Sequence, residues 1–221
     1  MASIVTITVH GIGPAGRDLA AGEDRTWVDI ARFEQMLDLA AARDHVRITF
    51  DDGNASDLEI ALPRLVQRGL RAEFFVLAGL FGQPGKLDAD GVRALVQAGM
   101  AIGSHGWAHR DWRRIDEAEA AEEFDRAHDL IGEIAGTPVT SVAVPFGSYD
   151  RRVLQRLRHK GVRHVYTSDG GRARPGSWLQ PRTSLRHDMD AGWLTSVVDG
   201  RPAAAVRARR VAARTVKRLP P

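Results

Sequence analysis

The chain has 221 residues, with 31 Lys and Arg against 28 Asp and Glu, and it contains no cysteine. This length suits one α/β domain, and the lack of cysteine excludes disulfides, thiol catalysis and Cys-ligated zinc or iron–sulfur sites. No apolar run reaches the roughly 18 residues of a membrane span, and the first residues lack the basic region and cleavage site of a signal peptide. We therefore expect a cytoplasmic protein without a transmembrane segment, in which only His, Asp or Glu could ligate a metal.

The net charge of +3 is unevenly distributed along the chain. Residues 201–221 contain seven Lys or Arg and no acid, whereas the other 200 residues carry 24 basic and 28 acidic side chains. A nucleic-acid partner would require basic residues over a face of the folded domain, so we expect none. The pattern predicts one domain over 1–200 and a basic C-terminal helix or tail over 201–221. We expect the tail to pack on the domain, with peripheral contact to an anionic membrane as the alternative.

Short apolar strands alternate with helix-length segments along the chain. The predicted strands cover 4–9, 46–50, 73–77, 100–103, 141–144, 164–167 and 180–185. The predicted helices cover 33–42, 56–68, 88–98, 116–134 and 151–160. The Gly-rich stretch over 11–22 predicts an irregular loop at the rim of the fold. The repeated βα pattern predicts a parallel sheet.

Residues suited to catalysis follow four of the predicted strands. In chain order they are His10, then Asp51 and Asp52, then His105 and His109, and finally Pro145 and Phe146. Because the carboxyl ends of parallel strands share one face, we expect these residues to converge there. Chemistry concentrated at strand ends favours a closed barrel over an open sheet.

Two of these groups together predict a metal site. Asp51 and Asp52 are adjacent acids at the end of a buried strand, where a carboxylate without a cationic partner is costly. His105 and His109, four residues apart, could complete a metal site with one of the two acids. Taken separately, the acids could cap a helix and the histidines could be hydrogen-bonded loop residues. Taken together, they favour a divalent-metal site with a free carboxylate beside it.

The order of the motifs resembles a known family. A Thr-Phe-Asp-Asp-Gly motif at 49–53 is followed by His-x-x-x-His at 105–109 and by Pro-Phe-Gly at 145–147. This order is similar to that of the polysaccharide deacetylases of the NodB-homology superfamily, carbohydrate esterase family four. The resemblance implies an α/β fold, a distorted (β/α)7 barrel, and a hydrolase that removes N-acetyl groups from an amino sugar.

The resemblance also implies roles for individual residues. Asp52, His105 and His109 would bind one divalent ion, for which zinc is the expected metal and cobalt or nickel are alternatives. Asp51 would act as the general base. A backbone N–H near Phe146 would help to form an oxyanion hole.

Two features depart from the family pattern. Ala143 stands where the family often has an arginine that orients the catalytic acid, so we predict that Arg182 holds Asp51 through a bidentate ion pair. A surface salt bridge is the alternative for Arg182. The general acid is the second open point: it is His187, in a late Leu-x-His motif, or His10 at the first strand end, or neither.

Three further residues are candidates for substrate contact, namely Pro145, Phe146 and Trp112, with core packing as the alternative for Trp112. The expected partner is an N-acetylated saccharide, such as a cytoplasmic glycan precursor. Two other functions fit the sequence. One is hydrolysis of another non-peptide C–N bond on the same barrel, and the other is carbohydrate binding by a metal-containing but inactive protein.

Overall fold

The computed structural model describes residues 3–19, 21–199 and 217. Its strands are β1 (Ile4–Val9), β2 (Gly11–Ile12), β3 (Trp27–Val28), β4 (Val46–Asp51), β5 (Ala72–Val76), β6 (Ala101–Ser104), β7 (Ser141–Ala143), β8 (His164–Thr167), β9 (Arg172–Ala173) and β10 (Leu179–Ser184). Its helices are α1 (Ile30–Ala41), α2 (Leu62–Gln67), α3 (Ala89–Gln97), α4 (Glu117–Ala120), α5 (Ala127–Ala135), α6 (Arg151–His159) and α7 (Ala191–Val198). Shorter elements are the 3-10 turns Glu23–Thr26, Ala78–Leu80 and Pro145–Gly147 and the π-helical segments Asp57–Ala61 and Ala121–Arg126.

Seven parallel strands close into a barrel. They pair in the order β1, β4, β5, β6, β7, β8 and β10, and β10 pairs again with β1 to complete the ring. The short β9 adds to β1 in the antiparallel sense. The predicted distorted (β/α)7 barrel is therefore confirmed, and the carboxyl ends of its seven strands face the same way.

Two apolar clusters hold these strands in place. The larger one packs α1 against the barrel through Phe33, Met36 and Leu37, which lie on one face of the helix. It also contains the stacked rings of Phe50 and Phe74, whose centroids are 4.4 Å apart. The smaller cluster packs α6 and the segment from α4 to α5 against β7 and β8. The strand ends that carry the polar residues are thus fixed from both sides of the barrel.

The seven barrel strands agree with the predicted ones to within one residue at each end. The helices differ more. α1 begins three residues earlier than predicted because the Asp29 side chain caps it, accepting the N–H of Arg32 at 2.6 Å. The sequence did not predict α7, whose first turn is capped by Asp190. Both predicted helices over 56–68 and 116–134 contain a π-helical segment, a feature often found near functional sites.

The Gly-rich stretch is more ordered than predicted. Gly11–Ile12 forms a strand that pairs with Trp27–Val28, and the indole N–H of Trp27 donates to the carbonyl of Gly13 at 2.7 Å. A Cβ at Gly11 would lie 2.2 Å from the Trp27 ring, so only glycine allows this approach. The prediction of an irregular loop is therefore wrong for the start of this stretch.

The described residues include no helix that is both long and apolar enough to cross a membrane. Of the predicted basic tail, only Lys217 belongs to the described residues. The predictions for the rest of 201–221 lie outside them.

Candidate active site

The backbone adopts a rare conformation at three residues of the candidate site. Asp52, His109 and Phe146 have φ angles of 75°, 56° and 57°, and they are the only non-glycine residues with positive φ in the described part of the chain. Such conformations cost about 1–3 kcal/mol each and persist where surrounding structure enforces them. All three follow the carboxyl ends of barrel strands, on loops after β4, β6 and β7. Backbone strain is therefore concentrated at the carboxyl ends of the barrel strands, the face on which the sequence predicts the site residues.

Asp52, His105 and His109 lie together with their ligand atoms all within 4.8 Å of one another. Oδ1 of Asp52 is 3.5 Å from Nε2 of His105 and 3.8 Å from Nε2 of His109. That oxygen is buried and has no hydrogen-bond donor among the described residues, which is unfavourable for a carboxylate unless a cation completes its environment. One carboxylate and two imidazoles are also a ligand set that suits a divalent metal. The residues present therefore fit a divalent ion.

Neither acid caps the helical segment that follows. That helical stretch begins at Ala55, and the N–H groups of Ala55 and Asp57 donate to the carbonyls of Gly85 and Asn54, not to either acid. The helix-capping alternative for Asp51 and Asp52 is therefore excluded.

Each histidine has an environment that leaves a nitrogen lone pair available. Nδ1 of His105 lies 2.8 Å from the carbonyl oxygen of Ala143, which fixes the proton on Nδ1 and turns Nε2 towards Asp52. Burial, together with the neighbouring His105, lowers the pKa of His109 to about 4. His109 is thus neutral at neutral pH, and Phe146 covers its ring with a centroid distance of 4.2 Å.

Asp51 is held apart from this triad by Arg182. NH1 and NH2 of Arg182 donate to the two carboxylate oxygens of Asp51 at 2.6 and 2.7 Å. The guanidinium is completely buried and also donates to the hydroxyls of Thr8 and Thr49. Burial opposes ionisation of Asp51, but the charge of Arg182 outweighs it and lowers the pKa of Asp51 below its usual value. The bidentate contact predicted from the sequence is present, and the surface salt bridge is excluded.

Of the two histidines considered as general acid, the structure brings one to the site. Nε2 of His10 lies 3.9 Å from Oδ2 of Asp51, and the His10 side chain is 20% exposed. His187 lies in an exposed turn after β10, where its backbone N–H donates to the carbonyl of Arg25. No hydrogen bond or ion pair joins the His187 side chain to Asp51 or Asp52 within the described residues. The structure therefore does not support the assignment of His187 to the catalytic site.

The three residues proposed for substrate contact differ in their exposure to solvent. Trp112 is 1% exposed and its indole N–H donates to Glu123 at 3.1 Å, so the prediction that it borders a substrate groove is wrong and the packing alternative is right. Pro145 is also buried, and it shapes the turn without offering a surface to a ligand. Phe146 is 67% exposed beside His109. Of the three, only Phe146 can contact a substrate directly.

An open cavity of about 560 Å³ adjoins the triad. Asp52 and His109 form part of its wall, together with Phe146, Leu80 and Lys86. A cavity of this size can hold a small organic group or part of a longer chain.

Sequence reasoning missed three polar residues near the acids, namely Lys86, which lines this cavity, and the buried Asn54 and Asp57. Asn54 is buried, and its amide donates to the carbonyl of His10 at 2.8 Å and accepts from Lys86 at 2.9 Å. Lys86 also donates to the backbone carbonyl of Asp52 at 3.2 Å. Asp57 is completely buried with both carboxylate oxygens unpartnered among the described residues. Burial and the charge of Asp52 raise the pKa of Asp57 well above its usual value. Proximity in sequence to the Asp-Asp-Gly motif was the only available signal for Asn54 and Asp57.

Comparison with known proteins places this site in a family context. A family model described as polysaccharide deacetylase matches residues 39–165. The chain is 28% identical over 105 residues to a peptidoglycan-N-acetylglucosamine deacetylase of Bacillus cereus. This alignment covers 46% of this chain and 36% of that protein. It is 25% identical over 166 residues to a chitin deacetylase of Arthroderma benhamiae. This alignment covers 72% of this chain and 44% of that protein. The chain thus matches less than half the length of these two relatives.

Solved structures share the fold at lower identity. The Streptococcus pyogenes deacetylase PplD, solved in complex with acetate, superposes with a TM-score of 0.77 at 19% identity, over 89% of this chain and 98% of that one. IcaB from Ammonifex degensii superposes with a TM-score of 0.73 at 21% identity, over 90% and 97%. These likenesses show a common architecture. Because the family model covers more than half of the sequence, the chain belongs to the polysaccharide deacetylase family, of NodB-homology type.

Proposed function

We propose that this chain is a metal-dependent hydrolase that removes the acetyl group from an N-acetylated amino sugar of a saccharide. The observation that carries the proposal is the division of labour between two adjacent acids: Asp52 faces two histidines, whereas Asp51 is held by Arg182. This provides one carboxylate for a metal ion and a second, ionised carboxylate for proton transfer. A protein that only bound sugar would need the first carboxylate and not the second. Family membership and the deacetylase names of the relatives support an acetylated saccharide as substrate.

Asp52, His105 and His109 would hold the metal ion. A divalent ion there would supply Lewis acidity to the acetyl carbonyl and to a water molecule. Zinc suits one carboxylate and two imidazoles, and cobalt or nickel could replace it.

Asp51 would accept the proton of the attacking water. One of its oxygens lies 3.9 Å from Nε2 of His105, so the carboxylate borders the metal ligands without joining them. Arg182 fixes both oxygens of Asp51 and thereby the direction of its lone pairs. Because its pKa is low, Asp51 is a weak base, and its contribution depends on accurate placement next to the water.

The remaining two roles fall to His10 and the turn at Phe146. His10 borders Asp51 and is partly exposed, so a protonated His10 could donate to the departing amine. In the turn, the N–H groups of Gly147 and Ser148 donate to the carbonyls of Val144 and Pro145. This leaves the Phe146 N–H as the donor of this turn that would meet the developing oxyanion, and such a donor contributes about 3–4 kcal/mol in other acyl-transfer enzymes.

Acetate release from a panel of N-acetylglucosamine saccharides tests this proposal. The protein is stripped with a chelator and assayed with and without zinc, cobalt or nickel. We expect the metal to restore release, and we expect Asp51→Asn to lower kcat by about 100-fold or more because the proton acceptor is lost. Asp90→Asn, at an exposed position in α3, is the matched control and should leave kcat unchanged.

Two results would redirect the assignment. Stoichiometric metal uptake without acetate release from any saccharide, but with hydrolysis of cyclic amides or ureides, would favour the other C–N hydrolase. Saccharide binding without any turnover, unaffected by Asp51→Asn, would favour an inactive binding protein.

A further inference from the structure

Glu123 lies behind the segment that carries the two histidines. It belongs to the π-helical segment Ala121–Arg126 and is completely buried. One of its carboxylate oxygens accepts the backbone N–H of Trp107 at 3.0 Å and the indole N–H of Trp112 at 3.1 Å. The other accepts the backbone N–H of Ala108 at 2.9 Å and NH1 of Arg110 at 3.3 Å. A buried acid with four donors is fully engaged, and three of these donors come from the segment between His105 and Trp112.

The segment from His105 to His109 is not part of a regular helix, so its conformation depends on contacts with other residues. On a helix, residues four apart share a face automatically, but here the backbone is irregular, with φ of 92° at Gly106 and 56° at His109. The N–H groups of Trp107 and Ala108 therefore lack helical partners and are satisfied by Glu123. The spacing of the two imidazoles depends on a residue outside the motif.

The same segment is held from its opposite side by backbone contacts. The carbonyl of Gly106 accepts the N–H of Ala78 at 3.1 Å, and the carbonyl of Trp107 accepts the N–H of Gly79 at 2.9 Å. A Cβ at Gly106 would lie 2.0 Å from the Glu123 carboxylate. Glycine is thus required at position 106 both for its φ angle and for the close approach of Glu123.

We propose that Glu123 is a positioning residue for the metal site: its carboxylate sets the separation of His105 and His109 and thereby the affinity for the metal ion. This inference rests on the proposed function only in taking the two histidines as metal ligands. Glu123 itself touches neither imidazole and is not a ligand. Its role is electrostatic and geometric, since it fixes two backbone N–H groups between the histidines.

The test is the zinc affinity of the full-length Glu123→Gln variant, measured by competition with a chromophoric chelator. A glutamine retains the shape but supplies one acceptor oxygen, so part of the segment loses its partner. We expect the zinc Kd to rise at least about tenfold, as is typical when the support of a metal ligand is removed. Glu122→Gln is the matched control, because Glu122 pairs with Arg110 but accepts no backbone N–H of the segment. Its zinc Kd should equal that of the wild type.

A purely structural role for Glu123 predicts a different result. Leu157 belongs to the smaller apolar cluster, which also contains Phe124, the neighbour of Glu123 in the chain. Leu157→Ala opens a cavity there and should lower the unfolding temperature without changing the zinc Kd. If Glu123→Gln behaves like Leu157→Ala, with lower thermal stability and an unchanged zinc Kd, the inference is overturned. A wild-type protein that binds zinc but releases no acetate would overturn the proposed function and leave the inference standing.

A second variant covers the possibility that Glu123→Gln does not fold. In Gly106→Ala the new methyl group would collide with the Glu123 carboxylate and displace it. This variant should therefore also raise the zinc Kd. Trp112→Phe removes one donor to Glu123 and leaves both backbone contacts, so its zinc Kd should stay within about twofold of the wild type. Equal zinc affinities for wild type, Gly106→Ala and Trp112→Phe would refute the inference.

Discussion

Three buried acids near the site, Asp51, Asp52 and Asp57, show how a partner decides the state of a carboxylate. Burial disfavours the charge on each of them. Arg182 reverses this effect for Asp51, and His105 and His10 reverse it for Asp52, so the pKa of each lies below its usual value. The Asp57 carboxylate accepts no hydrogen bond from the described residues, and its pKa lies well above the usual value. The sequence shows three similar residues, whereas their surroundings lower the pKa of two of them and raise the pKa of the third.

Replacing Arg182 by lysine should disturb Asp51 and leave the other three residues in place. A lysine cannot form the two parallel hydrogen bonds of a guanidinium, so Asp51 loses its fixed orientation while Asp52, His105 and His109 keep theirs. We expect kcat to fall about 100-fold with little change in zinc Kd. Because burial then acts on Asp51 with less opposition, its pKa should rise, and the acidic limb of the pH–kcat profile should move to higher pH.

The measurement is a pH profile of kcat and KM for the zinc-loaded enzyme. Arg186→Lys is the control, because Arg186 forms only an exposed ion pair with Asp188, and its profile should match that of the wild type. A higher KM with unchanged kcat, or an unmoved acidic limb, would show that Arg182 does not position the base.

Replacing Asp57 by asparagine should stabilise the metal-free protein near neutral pH. The raised pKa keeps Asp57 protonated in the folded state at pH values where the unfolded chain is ionised. The folded state then binds more protons, so this residue's contribution to stability is present below about pH 4 and is lost as the pH rises. Removing the ionisable group should therefore stabilise the variant relative to wild type, by at least about 1 kcal/mol near neutral pH, and the gain should shrink towards pH 4.

Urea unfolding between about pH 4 and pH 7 measures this gain. Asp90→Asn, at an exposed side chain, should give a difference from wild type that is small and independent of pH. A stabilisation of Asp57→Asn that is absent at pH 7, or that grows as the pH falls, would contradict the assignment of a protonated Asp57.

At the scale of elements, strands could be predicted closely and helices less so. Most barrel strands are short, mainly apolar runs that end where polar residues reach the carboxyl face, so both the run and its end are visible in the sequence, whereas β10 is mainly polar. Helix ends depend on caps, and Asp29 and Asp190 cap α1 and α7 at positions that apolar periodicity does not mark. The π-helical segments also escape such reasoning, since one additional residue per turn barely alters an amphipathic pattern over a short helix.

The candidate site divides in the same way. Asp51, Asp52, His105 and His109 could be found because short motifs carry them, and Arg182 could be found because a buried acid needs a cation. Trp112 was misplaced because a tryptophan after a metal-ligand motif can face either a groove or the core, and local sequence does not distinguish the two. The contacts of Glu123 depend on how the segment from α4 to α5 packs against the barrel, which no local pattern encodes.

At the scale of the whole molecule, the site requires the barrel to close. His10 follows β1, Asp51 ends β4 and Arg182 lies in β10, so Asp51 and Arg182 come from different strands and are 131 residues apart in the chain. The pairing of β10 with β1, at Thr6 opposite Arg182, brings these residues to one place. Formation of the Asp51–Arg182 pair is therefore a property of the complete domain and not of any fragment of it.

The contact of Lys217 extends this dependence to the C-terminal basic stretch. Its ammonium group donates to the carbonyl of Gly147 at 2.7 Å and to Asp169 at 2.8 Å, and it lies 4.9 Å from the ring of Tyr149. The other oxygen of Asp169 accepts the hydroxyls of Tyr149 and Thr167. Burial raises the pKa of Asp169, but the hydrogen bonds from Lys217, Tyr149 and Thr167 outweigh it and keep the carboxylate ionised. Lys217 thus joins a buried acid to the turn that presents Phe146.

Replacing Lys217 by methionine should loosen that turn while leaving the metal triad intact. We expect faster amide hydrogen exchange over 144–149, because the Gly147 carbonyl and the Asp169 carboxylate both lose a charged donor. The unfolding temperature should fall by about 2–4 °C, the effect of about 1 kcal/mol in a domain of this size. Lys160→Met, which removes an exposed ion pair with Asp125, should leave exchange over 144–149 unchanged. Exchange over 144–149 that is unchanged in both variants would mean that Lys217 contributes nothing to the stability of this turn.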